Sequence, residues 1–311
     1  MKFIKKLLSI LQNNLLTLIY KIKPKFFYYQ SYSLFNNYLA IPKITGLQLT
    51  RDTSIGNEGD IIYLPNDVQQ TWQLMKYGEL EYPISKIIYD KLKSDKKYTL
   101  IDIGANVGLV SMYINNNNNN IENFICVEPV KNNFLCLKKN TKKLKNKNIY
   151  NFGLSNKNLI GDIFIDQSNH GNSSLSVSMM EFSKHKNYDT EKIEIRSVTS
   201  FFDLIKDQIK DKNLIIKIDA QLYDELIFSL IPKNVLNQTA LLCYELTSSK
   251  NIKRPIFSEE SFKKNLTYFN LIWSEELGKL SPNQLLDAMD NERLSNNIET
   301  DIYLMKQDTS K

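Results

Sequence analysis

The chain has 311 residues, of which 42% are apolar and 24% charged, and its formal net charge is +6. This composition is typical of a globular protein with a sizeable core, and it excludes global disorder. The three cysteines form no CxxC pair and there are only two histidines. The sequence therefore predicts buried reduced thiols, a cytoplasmic location and no metal site.

The N-terminus is basic, because residues 1–51 contain eight Lys or Arg and no Asp or Glu. Apolar residues recur at helical spacing through residues 1–20, but Gln12–Asn14 interrupt them, so no run could span a bilayer. A broken apolar run without a small-residue cleavage site also fits a signal peptide poorly. Two interpretations stay open. Residues 1–25 contact an anionic membrane surface peripherally, or the helix packs on the main domain or on a second subunit.

Residues 1–70 are predicted to form this basic segment and a cap, ahead of a main domain at residues 71–250. Within the cap, Ile61–Leu64 has the composition of a strand and is followed by a proline. A helix is predicted at Ser85–Leu92, with Pro83 near its start.

From residue 98 onwards short apolar strands alternate with helical stretches, which predicts an α/β fold with a doubly wound, mostly parallel sheet. Strands are predicted at Thr99–Ile103, Phe124–Glu128, Ile149–Phe152, Leu214–Asp219 and Ala240–Glu245, and helices from Leu109, after Pro129 and at Tyr223–Leu230. An insertion is predicted to contain two exposed strands, Asp162–Asp166 and Lys192–Val198, with a turn at His170–Ser174. Residues 251–311 are predicted to be a polar helical extension, packed through Phe257, Phe262, Phe269 and Trp273.

The first candidate site motif runs from Asp102 through Gly104, Ala105 and Asn106 to Gly108, between the first strand and its helix. Glycines in such a turn let a ligand approach the backbone, and the helix N-terminus offers free N–H groups to an anion. A dinucleotide fingerprint has a second glycine where Asn106 stands, which disfavours NAD. An S-adenosylmethionine site has no pyrophosphate to cradle and tolerates asparagine there. A glycine turn without a ligand is the remaining alternative.

Two acidic residues follow predicted strands. Glu128 comes 24 residues after Gly104, and a carboxylate there can accept hydrogen bonds from both hydroxyls of a ribose. Asp219 ends the strand at 214–219, and ligands in open α/β sheets bind beyond the carboxyl ends of the strands. Asp219 is therefore placed to take a proton from an acceptor hydroxyl. It could equally orient the substrate or cap the following helix.

Taken together, these segments resemble the FkbM family of methyltransferases. The matching segments are IDIGANVGLVS at 101–111, VEP at 127–129, GLS at 153–155, GNSSL at 171–175 and LIIKIDAQLYDELIF at 214–228. The resemblance spans about residues 70–250 in the same order, and an apolar strand ending in Glu245 also fits.

The resemblance implies a Rossmann-like methyltransferase fold with a seven-stranded sheet, S-adenosylmethionine as the methyl donor, and methylation of an acceptor oxygen. Such acceptors are often sugars of surface polysaccharides or glycolipids, or secondary metabolites. By position, the resemblance implies that Asp102, Gly104, Ala105, Asn106 and Gly108 line the methionine end of the cofactor, Glu128 holds the ribose, Gly153 and Ser155 lie near the adenine, and Ser173 and Ser174 lie near the cofactor or acceptor.

One departure from the family pattern concerns the turn after Asp219. The family usually has glycine where this chain has Leu222, and glutamate where it has Asp224. If that glycine adopts a positive φ, leucine there is strained by about 1 kcal/mol or more. The sequence then predicts a rebuilt turn or a reshaped acceptor pocket.

Two other functions stay open at this stage. The lysine-rich stretch 138–147 and the net charge would suit a nucleic-acid methyltransferase. However, no Asn/Asp-Pro-Pro-aromatic motif follows the strand at 214–219, and no Pro-Cys nucleophile is present. A degenerate methyltransferase fold that serves as a non-enzymatic scaffold is the second alternative, motivated by Leu222. The acceptor and the oligomeric state have no signal in the sequence.

Overall fold

The computed structural model describes residues 44–49, 52–65, 70, 82–92, 96–117, 120–166, 169–182, 188–249, 252–289 and 298–306. The helix predicted at residues 1–20 lies outside the described residues, so its contact with a membrane or a partner stays a prediction. Among the described residues, no helix is long and apolar enough to cross a membrane.

The elements alternate between strands and helices over most of the chain. In chain order they are β1 (Ile44–Gln48), β2 (Ile61–Pro65), α1 (Tyr82–Lys91), β3 (Tyr98–Ile103), α2 (Leu109–Asn117), β4 (Ile121–Val127), α3 (Lys131–Asn140), β5 (Lys147–Tyr150), β6 (Gly153–Ser155), β7 (Leu159–Asp166), α4 (Val177–Phe182), β8 (Tyr188–Ser197), α5 (Val198–Ile209), β9 (Asn213–Ile218), α6 (Asp224–Ser229), α7 (Lys233–Gln238), β10 (Thr239–Ser248), α8 (Glu259–Leu266), β11 (Leu271–Ser274), β12 (Gly278–Leu280), α9 (Pro282–Met289) and β13 (Ile298–Met305). Two short 3-10 turns lie at Thr141–Lys143 and His170–Asn172.

Within the described part of the chain, the main sheet has eight strands in the order β12-β11-β13-β10-β9-β3-β4-β5. The five strands β5, β4, β3, β9 and β10 are parallel to one another. Strand β13 is antiparallel to β10 on one side and to β11 on the other. The chain winds outwards from β3 to β5, returns to β9, and then winds the other way. The predicted doubly wound, mostly parallel α/β fold is therefore confirmed. The sheet has eight strands rather than seven because the β11–β12 hairpin adds an edge strand.

The central strands are mostly apolar, as suits a sheet whose two faces are covered by helices. Every residue of β3 is buried, as expected for a parallel strand that has no solvent face. Successive side chains point to opposite faces. Leu100 packs with helices α1, α2 and α3, whereas Ile101 packs with helices α5 to α9.

Strands β6, β7 and β8 form a separate three-stranded sheet in the order β6-β8-β7. The two strands predicted in the insertion are confirmed as the antiparallel pair β7 and β8, although both begin earlier than predicted. An isolated bridge between Phe164 and Ser174 brings the turn at His170–Asn172 back onto β7. The segment at 171–175 is thereby held close to the main sheet.

The prediction that residues 251–311 form a helical extension was wrong in its secondary structure. Among the residues of this segment that the structure describes, only α8 and α9 are α-helical, and strands β11, β12 and β13 extend the main sheet. Strand β13 pairs with β10 from Leu241–Met305 to Ser248–Ile298. A strand that finds its partner so far along the chain depends on tertiary contacts, and such contacts override weak local preferences.

Alanine substitutions at Gly104 and Gly278 test how closely the β3–α2 turn approaches the end of β9. Both glycines have positive φ, +71° and +69°, but a Cβ at residue 104 would lie 1.7 Å from the Asp219 carbonyl oxygen, and nothing lies within 4 Å at residue 278. We expect Gly278→Ala to lower the free energy of unfolding by about 1 kcal/mol through backbone strain alone. Gly104→Ala should lower the free energy of unfolding several-fold more, or prevent folding, because the backbone at Asp219 would have to move. Urea unfolding followed by circular dichroism measures both, and equal losses would contradict the close approach.

Candidate functional site

The register of the main sheet places five candidate residues in one row at its carboxyl edge. Ile103 is aligned with Val127 on one side and Ile218 on the other, and Ile218 is aligned with Tyr244. The next residue on each strand is therefore Glu128, Gly104, Asp219 and Glu245, in the order of the strands. Asp301 completes the row because it pairs directly with Glu245.

The β3–α2 turn is tight and uses left-handed backbone at Gly104, Asn106 and Gly108. The N–H groups of Gly104 and Ala105 both donate to the Val127 carbonyl at 2.9 Å, which fixes the turn against β4. A Cβ on Gly108 would lie 2.7 Å from the Leu137 side chain. Gly108 therefore allows α3 to pack closely, whereas Gly104 allows close approach of the β9 backbone.

Glu128 connects this turn to the next helix. Its Oε2 accepts from the Asn106 N–H and its Oε1 from the Val130 N–H, each at 2.9 Å, and the residue is 4% exposed. Burial raises the pKa of Glu128 to about 8, and the N–H groups of Val130 and Asn106 counter that rise. When ionised, this carboxylate has about four acceptor positions, and hydroxyl donors of a ligand would favour the ionised form.

A first cavity, the inner cavity, spans about 570 Å³ including space open to solvent, and lies between the main sheet and the β6-β8-β7 sheet. Most of its wall is apolar, and Glu128, Asn133, His170 and Asp219 supply polar groups. Burial lowers the pKa of His170 to about 4, so its imidazole is neutral at physiological pH. The lining residues are Ile103, Gly104, Asn106, Val127, Glu128, Pro129, Val130, Asn133, Phe152, Gly153, Leu154, Ile163, His170, Gly171, Ser173, Leu175, Asp219, Ala220 and Gln221.

A second cavity, the polar chamber, spans about 960 Å³ including space open to solvent, and lies on the other side of the β3–α2 turn. Its lining is rich in carboxylates and amides. The lining residues are Gln70, Ile84, Ala105, Asn106, Val107, Leu109, Val110, Asn169, Gly171, Asn172, Lys217, Asp219, Gln221, Glu245 and Asp301. Asn106, Gly171, Asp219 and Gln221 belong to both cavities, so the two spaces meet along a shared wall.

Lys217 is buried beneath this wall and joins three groups. Its Nζ donates to the Gly104 carbonyl at 2.9 Å and to Asp219 Oδ2 at 3.2 Å, and lies 3.5 Å from Asp102 Oδ1. Asp102 also accepts from the Ser111 hydroxyl at 3.1 Å. Burial raises the pKa of Asp102, and the positive charge of Lys217 opposes that rise. Asp102 thus holds the lysine that positions Gly104 and Asp219.

The turn after β9 keeps left-handed backbone at two consecutive residues, with φ of +47° at Gln221 and +82° at Leu222. The Leu222 side chain is buried against Met179, Met180 and Ile252. Burial of a leucine stabilises the folded chain by about 1.5–3 kcal/mol, which offsets a strain of about 1–2 kcal/mol. The strain expected at Leu222 is present, and hydrophobic packing maintains the turn.

Gln221 bridges two carboxylates. Its Nε2 donates to Asp219 Oδ1 and to Glu245 Oε2, both at 2.8 Å, and its carbonyl accepts from the Ser174 hydroxyl at 2.6 Å. Sequence reasoning missed Gln221, although it lies within the motif that contains Asp219. It also missed Asn133, and it missed Asp301 because β13 was not predicted.

The structure brings together five of the predicted site residues on the inner cavity, namely Gly104, Asn106, Glu128, Gly153 and Asp219, and places Ala105 on the polar chamber. Asp102, Gly108, Ser155 and Ser174 line neither cavity. Ser155 is buried and donates to Asn156, and the Ser174 hydroxyl is used on Gln221, whereas Ser173 lines the inner cavity. Asp224, not Asp219, accepts from the Ala220 N–H at 3.1 Å ahead of α6.

No protein-family model matches the sequence, and no curated protein matches it. Among solved structures, it is similar to a precorrin-6y C5,15-methyltransferase from Geobacter metallireducens (11% identity, TM-score 0.32, 72% of this chain and 88% of that chain). It is also similar to methyltransferase FkbM from Methylobacillus flagellatus (15%, 0.33, 76% and 54%) and to a geranyl diphosphate methyltransferase (9%, 0.34, 84% and 89%). Likenesses this low assign neither a family nor an activity.

The buried Lys217–Asp102 pair can be tested by paired substitutions. We expect Lys217→Met to lower the free energy of unfolding by about 3–5 kcal/mol, because it leaves the Asp102 carboxylate buried without its cation. Adding Asp102→Asn should recover most of that loss. Urea unfolding measures both variants, and a double variant no more stable than Lys217→Met would show that the pair is not the cause.

The burial of Asp301 predicts a specific pH dependence of the free energy of unfolding. Burial and the charge of Asp219 raise its pKa from 3.8 to about 6, so the folded protein holds this proton more tightly than the unfolded chain. The free energy of unfolding should therefore fall as pH rises from about 4 to about 6. In Asp301→Asn this contribution is absent, so the variant should gain stability relative to the parent across that interval. Parallel pH curves for the two proteins would contradict the raised pKa.

Proposed function

We propose that the protein is an S-adenosylmethionine-dependent methyltransferase that methylates a hydroxyl of a polyhydroxylated acceptor, such as a sugar of a surface polysaccharide or glycolipid. The observation that carries this proposal is the shared wall between the inner cavity and the polar chamber. A mostly apolar space with a polar edge suits a nucleoside, and a polar space suits a hydroxyl-rich acceptor. Asp219 lies where the two meet.

The inner cavity fits the donor in three respects. Its apolar side chains can pack against an adenine, and Glu128 retains acceptor positions for the ribose hydroxyls. Asn133 is 2% exposed and its Oδ1 has no hydrogen-bond partner, so it can accept from a ligand N–H or O–H. The space beside Gly104 is kept narrow by the Asp219 carbonyl, so only a glycine turn allows this arrangement.

The sheet order argues against a dinucleotide site. Dinucleotide-binding sheets have the order 3-2-1-4-5-6 with all strands parallel. Here the antiparallel strand β13 lies between β10 and β11. Asn106 also stands, at φ +51°, where the dinucleotide fingerprint has its second glycine.

S-adenosylmethionine, when bound, supplies a methyl group on a positively charged sulfur. The protein's contribution is then to hold an acceptor oxygen in line with that methyl group. Asp219 can accept the proton of the acceptor hydroxyl, which contributes about 10²–10⁴-fold to such reactions. Lys217 and Gln221 fix its two carboxylate oxygens at 3.2 and 2.8 Å, so the base is oriented before the acceptor binds.

Isothermal titration with S-adenosylhomocysteine tests the donor site. We expect binding that Glu128→Ala abolishes, because the ribose hydroxyls lose their acceptor, and no binding of NAD. Glu122→Ala is the matched control, since Glu122 is exposed on the same strand and pairs with Lys212. Asp219→Asn should bind S-adenosylhomocysteine like the parent protein while losing methyl transfer to sugars in an acceptor screen. Tight NAD binding would overturn the proposal, and no binding of either ligand would favour the scaffold.

A further inference from the structure

We infer that the polar chamber selects an acceptor that carries a protonated amine beside its hydroxyl groups, such as an amino sugar, and rejects acceptors that carry phosphate or carboxylate groups. This inference rests on the proposed function, because it takes the chamber to be the acceptor side of the shared wall. Four observations support it.

The first observation is a row of three carboxylates on adjacent strands. Asp219 follows β9, Glu245 lies on β10 and Asp301 on β13, and all three line the chamber. Glu245 and Asp301 are direct cross-strand partners in the antiparallel register. Like charges directly opposite each other destabilise a sheet, so this arrangement costs stability in the absence of a cation.

The second observation is the lack of an available cation nearby. Among the described residues that line the chamber, Lys217 is the only basic one. Its ammonium lies 2.9–3.5 Å from Gly104, Asp219 and Asp102, on the side away from Asp301 in the strand row. Burial and the neighbouring acidic groups, Asp219 foremost, raise the pKa of Glu245 well above its ordinary value. A ligand cation would relieve that unfavourable environment.

The third observation concerns hydrogen bonds at the shared wall. Gln221 is 7% exposed, and its Nε2 is used on both Asp219 and Glu245, but its Oε1 has no partner. The Oδ1 of Asn106 is likewise without a partner. The wall therefore contains two buried acceptor atoms that lack donors. An ammonium group offers three donors and no acceptor, whereas a phosphate or carboxylate adds acceptors only.

The fourth observation concerns the kind of cation that the chamber can take. In the parts of the chain that the structure describes, no group of three or more His, Cys, Asp or Glu side chains could hold a metal ion. The enclosed part of the chamber, at about 230 Å³, has room for a monosaccharide. A protonated amine attached to a polyol is thus the cation that fits both the charge and the space.

The test is a titration of the full chain, saturated with S-adenosylhomocysteine, with matched sugars. Glucosamine, N-acetylglucosamine, glucose and glucuronic acid differ in charge on one common ring. We expect glucosamine to bind at least about tenfold more tightly than glucose or N-acetylglucosamine, and glucuronic acid to bind most weakly. Equal affinities, tighter binding of glucuronic acid, or no glucosamine binding at about 10 mM would overturn the inference.

Charge-removing variants make the test specific. Glu245→Gln keeps an oxygen for the Gln221 amide, and Asp301→Asn keeps the length of its side chain, so each removes little besides charge. Each should reduce the preference for glucosamine over glucose by about threefold or more, leave S-adenosylhomocysteine binding unchanged, and raise the melting temperature of the ligand-free protein. Glu260→Gln, an exposed position on α8 that does not line the chamber, should keep the preference. An unchanged preference in both chamber variants would contradict the inference.

The outcomes separate this inference from the proposed function. Binding of S-adenosylhomocysteine without any preference among the sugars would overturn the inference alone. Preference for glucosamine without any binding of S-adenosylhomocysteine would support the chamber's ligand class and overturn the proposed methyl transfer.

Discussion

The buried ammonium of Lys217 is the interaction on which the rest of the site depends. It lies below the carboxyl edge of the sheet and contacts Asp102 on β3, the Gly104 carbonyl in the next turn, and Asp219 after β9. A buried cation is stable only when its partners are fixed. The same contacts therefore set the separation of the two central strand ends and the position of the one carboxylate that both cavities share.

Backbone strain and side-chain burial act together in the turn after β9. Gln221 and Leu222 both adopt left-handed backbone, which L-residues other than glycine avoid. The buried Leu222 side chain stabilises this conformation, and the conformation in turn directs Gln221 between Asp219 and Glu245. A glycine at residue 222 would relieve the strain but would remove the hydrophobic contact that holds the turn against Met179 and Met180.

The sequence predicted the centre of the fold well because its signals are local. Strands β3, β4 and β9 are rich in apolar residues, and Gly104, Glu128 and Asp219 directly follow their last residues, so pattern and site coincide. Strand β13 could not be predicted in this way. Its partner β10 lies about 50 residues earlier, and the pairing of Glu245 with Asp301 exists only in the folded sheet. Ser174 shows the opposite case, since its motif is local but its hydroxyl is committed to Gln221.

The two cavities have largely separate linings, and this separation has an evolutionary consequence. Of the lining residues that the structure describes, Asn106, Gly171, Asp219 and Gln221 alone belong to both spaces. Glu245 and Asp301 lie on the polar chamber alone, on strands away from the inner cavity. Substitutions on β10 and β13 can therefore change which ligands the polar chamber binds while the inner cavity is preserved. Selection on both cavities at once acts on the four residues of the shared wall.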